Sequence, residues 1–198
     1  MRCMTRLKLF TTWIDKVMAD IRELIFQKNG SDKVTAGIYT DSDGIVSGIP
    51  AALKKAEETA APAGAMVLPD GRVVTGKNSS LLGPSAALLL NAIKALAGID
   101  KELDLLPSSI IAPISDMKIS HLGHRNPRLH SDEVLIALSI SAVTNPLAER
   151  VLKKLDDLRG CDAHFSVILS EEDEKLYKRL GIHVSCQPRY EIKRLYHK

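Results

Sequence analysis

The chain has 198 residues, of which 45% are hydrophobic and 26% are charged, and its formal net charge is +3. This apolar content excludes an intrinsically disordered protein, and so small a charge gives no reason to expect a nucleic-acid partner. The three cysteines form no CxxC pair, which predicts neither a disulfide framework nor a cysteine-rich zinc site. No apolar stretch approaches the ~20 residues that cross a bilayer. We therefore expect a cytoplasmic protein without a membrane partner.

The N-terminal segment has the pattern of an amphipathic helix. Apolar residues recur at alternating steps of three and four, and Asn29 and Gly30 end the pattern. The apolar stripe consists of Leu7, Phe10, Ile14, Val17, Ile21 and Leu24. Such a stripe needs a cover, either the rest of this domain or a partner.

A short buried strand is predicted over residues 35–40, followed by a turn over 41–44. Pro50 is expected in the first turn of the next helix, because proline fits the start of a helix. These elements divide the chain into a helical N-terminal segment, residues 1–60, and an α/β domain, residues 61–198.

The central part of the chain begins with a hairpin and a helix. The segments 65–68 and 72–75 flank Pro-Asp-Gly, a sequence typical of a turn between antiparallel strands. Pro84 opens an Ala- and Leu-rich helix that Gly98 ends.

Two further helices are predicted after a segment interrupted by prolines. That segment contains Ile110 and Ile111, which we predict as a short buried strand or turn. The first helix begins with Ser131 as its cap and runs to about residue 143. Asn145 caps the second helix, which we expect to end near residue 160.

The C-terminal part predicts a β-α-β unit. A strand over 163–169 precedes a helix that Ser170 caps and Gly181 ends, and a second strand covers 182–186. A helix between two strands favours their parallel pairing. With the antiparallel hairpin, this predicts an α/β fold with a mixed β-sheet flanked by helices.

The segment GRVVTGKN resembles a phosphate-binding loop of the Walker A type, but it departs from that pattern. Asn78 replaces the Ser or Thr that would ligate magnesium, and the residues before it predict a strand rather than a turn. A nucleotide loop is therefore not expected here. Lys77 remains a candidate ligand, as a single cation that would contact a phosphate from a loop.

The sequence Asp-Ser-Asp-Gly at 41–44 supports two interpretations. Asp41 and Asp43 have the spacing of the nucleophile and the acid/base of haloacid-dehalogenase-type phosphatases, which use magnesium. The remaining residues of that machinery are not evident downstream. The alternative is an ordinary turn, in which Asp and Gly are common.

Residues 118–130 are rich in cationic side chains and contain no acidic residue. They lead directly into a predicted helix, whose first N–H groups attract anions. We therefore predict an anion-binding site, with these candidate ligands: Lys77, His121, Arg125, Asn126, Arg128 and His130. The alternatives are a solvated basic loop, or cations that neutralise acidic residues elsewhere in the fold.

The same histidines also raise the question of a metal site. His121, His124 and His130 lack the HExxH arrangement, and Cys161 and His164 lie far along the chain, so no metal is predicted. His164 falls on a predicted strand, where a hydrogen-bonded core histidine is expected. Cys161 is read as an exposed thiol beside Gly160, without a visible catalytic partner.

Three long segments, residues 68–100, 121–152 and 158–186, resemble the C-terminal part of a bacterial family of unknown function, domain-of-unknown-function family 1846. The resemblance extends from about Lys54 to the C-terminus. It implies an N-terminal nucleotide-binding α/β half that this chain lacks, so that the chain is a fragment or a separately encoded half. The resemblance assigns no reaction to the chain, and the cofactor stays unknown.

Three functional hypotheses follow. The leading one is an anion-binding module for a phosphate-bearing small molecule, which works with the nucleotide-binding half. The second is a structural or homo-oligomeric module, based on the N-terminal helix and the helix from Pro84. The third is the phosphatase that uses Asp41 and Asp43, and whether the chain is an enzyme stays open.

Overall fold

The computed structural model describes the backbone of residues 43–191 and the side chains from residue 48 onward. The predicted N-terminal helix, the predicted strand over 35–40 and Asp41 lie outside these residues. The described part contains six α-helices, one short 3-10 helix and a four-stranded mixed sheet, which confirms the predicted α/β fold. Among these helices, none has the length and apolar character needed to cross a membrane.

The sheet has the strand order β2-β1-β3-β4. β1 (Ala63–Val67) and β2 (Val73–Lys77) form the predicted antiparallel hairpin, and Gly71 takes a φ of 81° in its turn. β1 also pairs antiparallel with β3 (Asp162–Phe165), which in turn pairs parallel with β4 (His183–Cys186). The predicted mixed sheet and parallel C-terminal pair are therefore confirmed.

The helices are α1 (Asp43–Thr59), α2 (Pro84–Leu96), α3 (Ser108–Ser120), α4 (Ser131–Ala142), α5 (Pro146–Leu152) and α6 (Glu171–Arg179). α1 and α2 cover opposite faces of the sheet. A Cβ at Gly64 of β1 would meet Leu88 of α2, whereas Val67, three residues along β1, contacts Gly48 of α1. Residues an odd number of positions apart on a strand point to opposite faces. The apolar core therefore fills both sides of the sheet.

Gly76 explains one part of the segment that resembles a phosphate-binding loop. It lies on β2 where that strand passes directly over α2, and a Cβ there would lie 2.2 Å from the backbone nitrogen of Leu88. No other residue type fits so close an approach. This glycine is needed for packing, and it lies on a strand, as predicted, rather than in a turn between a strand and a helix.

Two predictions are wrong because prolines lie inside helices instead of at their ends. Ile110 and Ile111 lie inside α3, not in a strand or turn, and α3 continues through Pro113. Pro113 is exposed, so solvent can reach the carbonyl group that its missing N–H leaves without a donor. Pro50 lies inside α1 rather than in its first turn.

Three further boundaries are corrected. The predicted turn over 41–44 is wrong at Asp43 and Gly44, which begin α1. The helix after Asn145 ends at Leu152 and is followed by a 3-10 helix over Asp156–Leu158. The strand predicted over 163–169 ends at Phe165, because the chain bends at Ser166 and Val167.

Candidate functional site

A cleft lies beyond the carboxyl ends of the parallel strands β3 and β4. Residues 167–170, which follow β3, and Glu191, which follows β4, form one side of it. The starts of α2, α4 and α6 contribute residues to the remaining walls. Ligands of open α/β sheets bind at this end of the strands, and each helix start carries a partial positive charge. The location therefore favours a negatively charged group.

Backbone hydrogen bonds hold the start of α2 beside the start of α4. Gly83 N donates to Leu129 O at 3.1 Å, and Leu129 N donates to Leu81 O at 2.9 Å. The two segments thus pair like short parallel strands, with a bridge between Leu82 and Leu129. This pairing brings the end of the basic segment to the cleft.

Tyr177 connects α6 to the start of α2. Its hydroxyl donates to Ser85 O at 2.8 Å, and its ring packs edge-to-face on Phe165 with 5.5 Å between the ring centroids. Burial raises the pKa of Tyr177 well above its ordinary value, so the hydroxyl remains a neutral donor. The contact of Tyr177 thereby fixes α6 relative to the cleft.

His130 and Asp173 form a hydrogen-bonded pair in the wall of the cleft. Their Nδ1 and Oδ2 atoms are 3.0 Å apart, while Ser131 N and the Ser170 hydroxyl also donate to the Asp173 carboxylate at 2.8 Å. Burial opposes ionisation of Asp173, but the bonds from His130 and Ser131 outweigh it and lower its pKa to about 2. Asp173 is therefore a stable buried carboxylate.

The Asp173 carboxylate in turn raises the pKa of His130, chiefly through their hydrogen bond, although burial and Lys118 act in the opposite direction. Glu133 adds a smaller attraction for the proton. With Nδ1 bound to Asp173, the Nε2 atom has no partner among the described residues. The raised pKa favours the protonated form of His130, in which Nε2 is an N–H donor in the wall of the cleft.

Lys118 and Glu133 fix the segment that carries the cationic side chains. Lys118 is 1% exposed and donates to Glu133 Oε2 at 2.6 Å and to Arg128 O at 2.7 Å. Glu133 Oε2 also accepts from His130 N at 2.8 Å. The cap of α4 is therefore His130 with Glu133, which corrects the predicted cap at Ser131.

Arg128 reaches the C-terminal side of the cleft. Its Nη1 donates to Glu191 Oε1 at 3.0 Å, and Asn78 Nδ2 donates to the same oxygen at 2.8 Å. One carboxylate oxygen thus binds two side-chain donors from different parts of the chain. The side chains of Arg128 and Glu191 are partly exposed, so this contact lies at the mouth of the cleft.

Several polar atoms around the cleft are buried without a partner among the described residues. In the cleft wall they are Asn78 Oδ1 and Ser85 Oγ, and Ser131 Oγ lies at the start of α4. α2 also begins without a side-chain cap, since its N-cap is Gly83. Pro84 has no N–H and Ala87 N donates to Gly83 O, so the N–H groups of Ser85 and Ala86 have no acceptor among the described residues. Buried polar groups normally have hydrogen-bond partners, so the two unpartnered atoms in the wall make this cleft the candidate binding site.

The structure separates the predicted ligands into two groups. Asn126, Arg128 and His130 line the cleft. Lys77, His121 and Arg125 are exposed and do not line it. Arg128 pairs with Glu191, and His130 pairs with Asp173. These cations therefore neutralise carboxylates elsewhere in the fold, as one interpretation of the basic segment predicted.

Two other predicted features are resolved. Cys161 is buried rather than exposed, and its burial raises the pKa of the thiol to about 11, so it is unreactive at neutral pH. His164 is a core histidine, as predicted, with Nδ1 2.8 Å from Ser185 Oγ and Nε2 3.1 Å from Gln187 Nε2. Within residues 43–191, no cluster of three His, Cys, Asp or Glu side chains is arranged to hold a metal ion.

The cleft residues that were not predicted as site residues include Asn78, Ser85, Asp173 and Glu191. Asn78 follows Lys77 in the segment that resembles a phosphate-binding loop, and that pattern was a usable signal. Asp173 stands in the first turn of α6, where an acidic residue is expected for helix stability alone. Glu191 has no local signal at all.

The comparisons with known proteins agree with the sequence resemblance. The family model for the C-terminal domain of unknown function DUF1846 matches residues 46–196. A UPF0371 protein of Corynebacterium efficiens is 56% identical over 147 residues, which cover 74% of this chain and 30% of the relative. A UPF0371 protein of Streptococcus thermophilus is 52% identical over 150 residues, or 76% of this chain and 30% of the relative. The chain thus spans less than a third of the length of these relatives, and it belongs to the DUF1846 family through that family's C-terminal domain.

Proposed function

We propose that this domain binds the anionic group of a small molecule, a phosphate in the first place, in the cleft at the start of α2. The observation that carries the proposal is the start of α2, which has no side-chain cap, beside the buried Ser85 hydroxyl, which has no partner within residues 43–191. A tetrahedral anion supplies the acceptors that these N–H and O–H groups lack. Helices α4 and α6 already have caps, so α2 is the start that needs an acceptor.

Two cationic side chains would complete the binding site. The guanidinium of Arg128 suits a phosphate because its planar donors bind two oxygens at once. The contact with Asp173 raises the pKa of His130, and the protonated side chain would donate Nε2–H to the same anion. Asn78 Oδ1 needs a donor, which a hydroxyl group of the ligand provides. The expected ligand is therefore a hydroxylated compound with a phosphate group.

The longer relatives place the proposal in a larger protein. They contain more than two thirds of their length outside the part that matches this chain. We expect that part to hold the rest of the ligand, as the nucleotide-binding half implied by the resemblance would. The domain described here would then supply the phosphate subsite, and we assign no reaction to it.

A titration with inorganic phosphate tests the proposal, with two arginine variants of the same segment. Arg128→Gln removes the guanidinium in the cleft, and Arg125→Gln makes the same change of charge at an exposed position outside it. Calorimetry should show binding by the wild type and by Arg125→Gln, and a loss of about tenfold or more in Arg128→Gln. Equal affinities of all three proteins, or no binding by any of them, would contradict the proposal.

A second candidate function, self-association, is supported by an exposed apolar face on α4 and just beyond it. Ile136, Ile140 and Val143 are 59%, 61% and 83% exposed, and their spacing places them on one side of the helix. The helix from Pro84, which first suggested this function, is largely buried and offers no such face. Sedimentation analysis of the wild type and Ile140→Glu tests it: a dimer that the variant abolishes supports the function, and a wild-type monomer ends it.

The phosphatase hypothesis stays a prediction. Asp41 lies outside the described residues, and Asp43 is the first residue of α1. Magnesium-dependent hydrolysis of a generic phosphomonoester that Asp41→Asn abolishes would support it. Absence of turnover by the wild type would set it aside.

A further inference from the structure

We propose that Glu191 is an internal competitor, whose carboxylate holds the two donors that the acidic group of the ligand takes over when it binds. The inference rests on the proposed function, because it states how the anion gains access to the same cleft. It concerns the contact of Glu191 with Asn78 and Arg128.

The geometry of this contact is that of a bound anion. Glu191 Oε1 accepts from Asn78 Nδ2 at 2.8 Å and from Arg128 Nη1 at 3.0 Å. Charge-assisted hydrogen bonds have these lengths in protein complexes with carboxylates and phosphates. The carboxylate comes from the segment after β4, whereas the two donors come from the residue after β2 and from the segment before α4. Glu191 therefore stands where a ligand's oxygen would stand.

The small volume of the cleft is what we expect if the Glu191 side chain occupies part of the binding site. The cavity volume is about 50 Å³, which is enough for a few water molecules. Small-molecule sites are usually about 300–1,000 Å³. A side chain must therefore move out of the cleft before a phosphate ester fits. Glu191 is the candidate, because it lies at the mouth with a partly exposed side chain. Its departure breaks no strand pairing, because β4 ends at Cys186.

The side chain of Asn78 shows that Glu191 replaces only some of the hydrogen bonds that a ligand would make. Its amide nitrogen is bound to Glu191, yet its Oδ1 is buried without a partner among the described residues. The hydroxyl of Ser85 is left in the same state. A carboxylate without its own hydrogen-bond donor cannot satisfy Asn78 Oδ1, whereas a hydroxylated phosphate compound has both kinds of group. The ligand gains these contacts, and this gain offsets the displacement of Glu191.

Removal of the negative charge from Glu191 tests the inference. Glu191→Gln keeps the size of the side chain and an oxygen acceptor, but it no longer competes as an anion. We expect it to bind inorganic phosphate about tenfold or more tightly than the wild type, by calorimetry at low ionic strength. Glu102→Gln is the matched control, because it makes the same change of charge at a side chain that is 82% exposed and outside the cleft.

Glu191→Ala provides a second variant, and thermal melts confirm that both variants fold. The outcomes separate the two proposals. If phosphate binds the wild type in an Arg128-dependent manner but binds neither Glu191 variant more tightly, the inference is wrong and the proposed function stands. If neither the wild type nor the variants bind phosphate, the proposed function itself is wrong. Tighter binding by Glu191→Gln and by Glu102→Gln alike reflects net charge and also overturns the inference.

Discussion

The buried Lys118 offers the sharpest test of how the cleft is held together. Lys118→Met keeps most of the packing of the side chain but removes the ammonium that bonds Glu133 Oε2 and Arg128 O at 2.6 and 2.7 Å. Loss of one partner of a buried pair costs about 3–5 kcal/mol. The side chain of Glu133 is 20% exposed and keeps the His130 N–H, so water and that bond reduce the penalty. We therefore expect a loss of about 3 kcal/mol.

Urea unfolding followed by circular dichroism at pH 7 measures this loss, and the melting temperature should fall by about 6–12 °C. Lys153→Met is the control, because its bond to Glu149 joins two side chains that are 72% and 55% exposed, and it should change nothing measurable. Glu133→Gln added to Lys118→Met should restore part of the stability, since it removes the unpaired charge. Equal stability of Lys118→Met and Lys153→Met would refute the reasoning.

Three further predictions follow from other parts of the fold. Burial lowers the pKa of His164 to about 4, so the unfolded chain binds a proton before the folded one, and wild-type stability should fall by up to about 3 kcal/mol as pH drops from 6.5 to 4. His164→Gln should flatten this slope in urea unfolding, and an unchanged slope would contradict the assignment. The pKa of His130 is raised by its bond to Asp173, so the affinity for sulfate, a dianion throughout this range, should be highest below pH 6.5 and fall as pH rises through the raised pKa. His130→Gln should make sulfate binding independent of pH, and a wild type that is equally flat would argue against His130 as a ligand. Gly76→Ala places a Cβ 2.2 Å from the backbone of Leu88 and should destabilise by about 3 kcal/mol or more, and a melting temperature within 1 °C of the wild type would be inconsistent with the close approach of β2 and α2.

The sequence was sufficient for elements whose signals are local. Asn145 caps its helix by accepting from Leu147 N at 3.0 Å, and Ser170 caps α6 by accepting from Asp173 N at 3.2 Å. Cap and turn residues act on their own neighbours, so spacing alone identifies them. The hairpin around Gly71 was predictable for the same reason.

The sequence-based predictions were wrong or incomplete where the tertiary environment of a residue determines its structure or its partners. Pro113 ends no helix, because it lies on the exposed side of α3, and exposure is a tertiary property. The basic segment is free of acidic residues in sequence but not in space. Glu191 bonds Asn78 across 113 positions and Arg128 across 63, and Asp173 bonds His130 across 43. Only the fold brings these carboxylates to the cleft.

A phosphate titration of the isotope-labelled wild type, followed by nuclear magnetic resonance, tests anion binding in the cleft most directly. We expect saturable shifts of the Ser85 and Ala86 amides in the first turn of α2, together with the Arg128 guanidinium. Small, unsaturable shifts confined to the exposed Lys77 and Arg125 would show that phosphate meets only surface charge, and they would contradict a binding cleft at the start of α2.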